Sequence, residues 1–137
     1  MSYRSIKGYI VRRMNSLGFS ESNEKFNFDG ATDFEFDKKF IVENPETNIV
    51  SGNTLSSNFY PERKMTVRIA WRLPEQAIYD YDLIQETLEF IIKDLHSPAN
   101  FQVDSIKNFQ FQSHSSREEK GYLVTEINFI ATDSLSF

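Results

Sequence analysis

Between Lys64 and Gln76 the chain reads KMTVRIAWRLPEQ, and this segment restricts the fold more tightly than any other. Met65, Val67, Ile69, Trp71 and Leu73 alternate with Thr66, Arg68, Ala70 and Arg72. A period of two is the side-chain period of a strand, and it assigns the first set to a buried face and the second to a polar one. Pro74 lacks the amide hydrogen that a ladder needs, so the strand ends there. A helix is expected from near Asp80. A patterned strand carrying Arg68 and Arg72 outward therefore feeds a short loop and an amphipathic helix. No catalytic grouping stands at that junction, which points to an assembly part more than to an enzyme.

The remaining elements follow from periodicity. Ile6, Ile10, Met14 and Leu17 recur at helical spacing with Tyr9 beside them, predicting a helix over about 5–17. Gly18 is placed to cap it, and Phe19 to fold back on its last turn. Gly8 lowers the propensity of this helix by about 1 kcal/mol relative to Ala. Phe34 and Phe36 alternate with Glu35 and Asp37, and Phe40 to Val42 form a second apolar patch, so 34–43 reads as one strand or a bent pair. Residues 44–62 are rich in Asn, Ser, Thr, Gly and Pro and read as a long loop. Its hydrophobes Ile49, Val50, Leu55, Phe59 and Tyr60 are too many for a tether, so a hairpin arm or interface loop fits better.

In the second helix, Leu83, Ile84, Thr87, Leu88, Ile91, Ile92 and Leu95 line one face, with Asp80 as its N-cap and Ser97-Pro98 as its end. Strands are expected at about 106–113 and 122–132, joined by the polar loop HSSREEKG. The order helix, strand, long loop, strand, helix, strand, strand implies an α+β fold. In it, a mostly antiparallel sheet of four to five strands carries two helices on one face. The 137 residues fit a single domain.

Bulk properties exclude several classes. There is no cysteine, so disulfides and thiolate chemistry are ruled out. Apolar runs are too short for a membrane-spanning helix, and the first residues lack the apolar core of a secretory signal. The net charge of −5 is unevenly spread. Residues 1–18 and 63–73 each carry +4, whereas 19–62 carries −6 and 74–95 carries −5. Blocks of opposite sign favour docking between copies or between different proteins.

Chemistry-bearing patterns are sparse. Asp33, Glu35 and Asp37 have the first spacings of a calcium loop, but Lys38 and Asn44 stand where such a loop needs Gly and Glu. His96 and His114 lack partners at metal-ligand spacing. With five glycines there is no phosphate-cradling loop, and no nucleophile motif is present. No catalytic, cofactor or metal site is expected, and no cofactor. Arg63, Lys64, Arg68 and Arg72 lie near Phe59 and Tyr60, yet a pI near 5.0 argues against a dedicated nucleic-acid reader.

In its order and pattern the chain resembles the tail terminator, or tail-completion, proteins of long-tailed bacteriophages. The resemblance runs over nearly the whole chain through an N-terminal helix, FDGATDFEFDKKFIV, a long loop, MTVRIAWRLPEQ, a helix and a final hairpin. It is strongest at Phe28-Asp29-Gly30, Thr66 to Gln76, Leu83 to Leu95 and Val124 to Ile130. It implies a virion protein assembled in the host cytoplasm. Such a protein forms a ring, usually a hexamer, that caps the tail tube protein, ends its polymerisation and joins it to a head-completion or neck protein. DNA passes through the lumen, where contact would be transient and non-specific. On this reading Arg68 and Arg72 are candidates for the lumen or a subunit interface, and Ile49, Val50, Leu55, Phe59 and Tyr60 for a partner-contact loop. A sister connector or tail-tube role, or a small ligand-binding or regulatory domain, is the alternative.

Overall fold

The computed structural model describes residues 3–22, 25–28, 36–52, 58–72, 78–102, 106, 108–132 and 135–136. The elements are α1 (Tyr3–Ser16), β1 (Ser20–Glu21), β2 (Lys39–Gly52), β3 (Asn58–Arg72), α2 (Ile78–His96), α3 (Pro98–Phe101), β4 (Asn108–Glu119), β5 (Tyr122–Thr132) and β6 (Leu135–Ser136). They build an α+β fold on one mixed sheet of order β1-β2-β3-β5-β4, with β6 added to β3. All long neighbours are antiparallel, and the two-residue β1 runs parallel to β2.

The strand that anchors the sequence pattern is the centre of the sheet. Met65, Val67, Ile69 and Trp71 are all buried. They face Ile6, Tyr9, Ile10 and Met14 of α1 and Ile84, Leu88, Ile91 and Leu95 of α2 in one continuous core. Each such burial contributes about 1.5–3 kcal/mol. The two helices are tied to each other by polar contacts at the edge of this core. Tyr9 donates a 2.6 Å hydrogen bond to the Leu95 carbonyl. Arg13 grips Asp94 with two bonds, at 2.8 and 2.6 Å. These contacts raise the Arg13 guanidinium above its ordinary pKa.

The end of α1 is built as its sequence requires. Gly18 has φ +98, the Phe19 amide bonds to Met14 O and the Gly18 amide to Asn15 O. That pair of bonds is the Schellman arrangement. It turns Phe19 back into the core, edge-on to Trp71 at 5.3 Å.

Several expected boundaries move. The stretch 44–62 is mostly strand: β2 runs to Gly52 and β3 starts at Asn58, so the hairpin form of the expectation holds and the long loop does not. Asn44 and Pro45 fall at a register shift between Glu43 and Glu46, which absorbs the proline without ending the strand. Residues 36–38 form a turn and β2 begins at Lys39, while 34 and 35 lie outside the described residues. HSSREE is strand and not loop. The β4–β5 turn is Lys120-Gly121 at φ 50 and 84, the positive-φ pair of a tight hairpin. Helix α2 starts at Ile78, so Asp80 lies inside its first turn and is not the N-cap. Leu83, assigned to the buried face, is 61% exposed because it sits at the flank of the stripe.

The second face of β3 is the larger departure. The alternation assigns it to solvent, yet Thr66 and Ala70 are buried there. Phe28, Phe36, Ala70, Tyr122 and Val124 form a second apolar cluster, with Phe26 packed against it. Phe28 stacks on Tyr122 at 4.5 Å and meets Phe36 edge-on at 5.5 Å. The segment after α1 thus covers one end of the sheet opposite the helices.

Candidate functional site

Arg68 projects from the middle of β3 onto the sheet face away from the helices. Glu43 of β2 lies on one side at 2.9 Å and Glu126 of β5 on the other at 3.3 Å. The three side chains are a little over one-third exposed, so the group is reachable from solvent. One cation between two carboxylates leaves the trio with a formal charge of −1. It therefore offers no attraction to phosphate. Beside it, Thr66 donates to the Asn128 amide oxygen at 2.8 Å, and Asn128 donates to the Ser113 hydroxyl at 3.2 Å. A polar band thus crosses three strands.

Arg72, two repeats of the alternation further along the same face, is held differently. Its guanidinium donates to the Gly121 carbonyl at 2.8 Å and lies 5.6 Å from the Tyr122 ring centre. A side chain at Gly121 would collide with that guanidinium. The backbone amide of Arg72 donates to Asp37 at 2.9 Å. Asp37, the last acid of the triad whose spacing only partly matches a calcium loop, is thus occupied in fixing a strand end, and Asp33 and Glu35 lie outside the described residues. The described residues contain no group of three or more His, Asp or Glu able to hold a metal ion.

The structure does not gather the arm residues around the arginines. Ile49 pairs with Pro61, Tyr60 with Ser51 and Phe59 with Gly52 along the β2–β3 hairpin. Val50 lies at the register shift between Ile49 and Ser51. Leu55 falls outside the described residues, and the side chains of the other four are not described. The last pairing of β3 with β5 is Glu62 with Thr132. Beyond it the hairpin continues, flanked among the described residues by β6 at Asn58 and Phe59. Near its base Glu46 holds Lys64 at 2.9 Å and raises the lysine pKa.

Two surface features escape the sequence pattern. Phe90 is 59% exposed on α2 although its type belongs in a core. Phe111, Ile92, Glu89, Lys93, His96 and His114 line a shallow groove between α2 and β4. Both histidines are exposed there. The pairing of 96 with 114 joins residues eighteen apart through the α2–β4 packing, so spacing carried no signal for it.

Among the described residues, no helix is long and apolar enough to cross a membrane. No protein-family model matches the chain, and no curated protein is similar to it.

Proposed function

We propose that the chain is a virion structural protein of a long-tailed bacteriophage. In this reading it is a tail terminator, whose copies close into a ring that caps the tail tube and joins it to the neck. The observation that best supports this is the β2–β3 hairpin, which runs past the end of β5 as an arm flanked among the described residues by the two-residue β6 alone. A two-stranded hairpin is marginal in water, and a two-residue third strand adds little to it. One carrying Ile49, Val50, Phe59 and Tyr60 gains stability by lying on another subunit. The resemblance in element order and the blocks of opposite charge support the same reading.

A terminator must match the tube on one face and fail to match it on the other. Opposite-signed surface blocks do this through complementary contact on one side and like-charge mismatch on the other. Of the two roles for the central arginines, the clamp of Glu43 and Glu126 on Arg68 favours a subunit interface over contact with DNA in the lumen.

The test is the mass of the purified chain by native mass spectrometry, with electron microscopy of the same sample. A single closed ring, six copies by expectation, supports a terminator. Open-ended stacks would reassign the chain to the tube, and a stable monomer at high concentration would favour a small ligand-binding or regulatory domain.

A further inference from the structure

Each long edge of the sheet includes a stretch free of the charges and prolines that normally guard an edge. Natural edge strands are blunted with charges, prolines or bulges, because their unpaired amides and carbonyls template pairing with another chain. On one side, β1 covers β2 only at Lys39 and Phe40 among the described residues. From Thr47 to Gly52 that edge reads TNIVSG, six residues without a charge or a proline, with one register shift at Val50. On the other side, β4 is the last strand of the sheet. From Asn108 to Ser116 it reads NFQFQSHSS, nine residues with no Asp, Glu, Lys, Arg or Pro. One register shift near Gln112 is its sole irregularity. Every residue from Gln110 to Glu119 is exposed, although Phe111 and His114 line a groove against α2.

We propose that these two edges are partners: the β2 edge of one copy, over 47–52, adds to the β4 edge of the next, over 108–116. The inference rests on the reading above that copies assemble, and it names the surface that receives the arm. Three observations choose a second copy as the occupant.

The first is direction. β2, β3, β5 and β4 alternate in sense, so a neighbour in the same orientation presents its β2 antiparallel to β4. That is the sense in which copies repeat around an axis, and a head-to-tail contact of this kind generates a ring when the rotation closes.

The second is charge. Neither run carries an Asp, Glu, Lys or Arg, so pairing 47–52 with 108–116 sets no like charges opposite one another within the paired segments.

The third is the groove. The α2–β4 groove, about 460 Å³, lies alongside this edge, with Phe111 37% exposed in its lining. Addition of a strand beside a helix gives backbone hydrogen bonds for affinity and a groove for alternate side chains. Ile49 and Val50 lie within the added segment.

The absence of cysteine makes the test clean. Thr47→Cys protein is mixed with Ser113→Cys or Ser115→Cys protein, incubated under mild oxidation and run without reductant. The expected result is a disulfide-linked dimer from a mixture and none from any variant alone. Ser115→Lys, placed at an exposed position, should convert the assembly to monomers that keep the far-ultraviolet circular dichroism of the fold. A link formed by Thr47→Cys alone would overturn the edge pairing in favour of arm-to-arm contact. A closed ring that neither cross-links in the mixtures nor responds to Ser115→Lys overturns the pairing and leaves the ring standing. A wild-type chain that stays monomeric overturns the ring itself.

Discussion

Replacing Phe28 with alanine tests the second apolar cluster, which gives the sheet a cover on the face that alternation assigns to water. Phe28 is 8% exposed, stacked on Tyr122 at 4.5 Å and edge-on to Phe36 at 5.5 Å. Truncating a buried Phe in a closed core costs about 3–5 kcal/mol. Here the cluster opens at its rim toward the half-buried Phe26, where the chain can partly collapse into the vacated space. The expected loss is therefore at the lower end, about 3 kcal/mol, of which the ring stacking accounts for about 1. For a chain of this size that corresponds to a fall in melting temperature of roughly 10 °C.

Urea unfolding followed by the fluorescence of Trp71, the single tryptophan, measures it. Hydrogen exchange at the Lys38 amide reports the same event locally, because that amide donates to the Ala70 carbonyl at 2.8 Å beneath the cluster. Phe90→Ala, at a side chain 59% exposed, is the control and should change the stability of the isolated chain by less than about 0.5 kcal/mol. A Phe28→Ala loss below about 1 kcal/mol, or unchanged protection at Lys38, would refute the argument that this cluster holds the sheet's second face.

Three further outcomes are expected. Gly18→Ala forces a Cβ into φ +98 and should destabilise the fold by about 1–2 kcal/mol in thermal melts, although no neighbouring atom lies within 4 Å of that Cβ. Tyr9→Phe leaves the Leu95 carbonyl without its 2.6 Å donor and should cost about 1 kcal/mol by the same assay. Arg68→Met leaves Glu43 and Glu126 without the cation between them. A loss of about 1 kcal/mol in low salt that shrinks in 1 M NaCl is expected from urea titrations at both salt concentrations. By the same reasoning Arg68→Glu gathers three carboxylates in one place, so a defect in its assembly would report on folding as much as on an interface.

The parts of the fold legible in the sequence were those in which one pattern answers to one environment. Met65 to Trp71 alternate because they face a helical layer on one side, and Gly18 appears where a helix must reverse. The covered second face was hidden because Ala70 and Thr66 occupy positions that read as polar or neutral. What packs with Ala70, namely Phe28, Phe36 and Tyr122, comes from three separated segments. The arm was half legible: the hydrophobes of 44–62 argued against a tether, but Pro45 and the Asn-rich composition obscured strands that tolerate them through register shifts. The extent of β4 was hidden for a related reason. HSSREE has loop composition because every residue of this stretch of edge strand is exposed, and composition follows burial more than backbone. As for the candidate site, Arg68 and Arg72 share a face as their spacing requires, but their carboxylate, carbonyl and ring partners lie on other strands and left no local trace.

The central proposal, that this chain ends tail growth and links tail to head, is tested most directly by electron microscopy of particles assembled without it. Overlong or headless tails, restored to uniform length and attachment when the purified chain is supplied, are the predicted result. Tails of normal length joined to heads in its absence would contradict it.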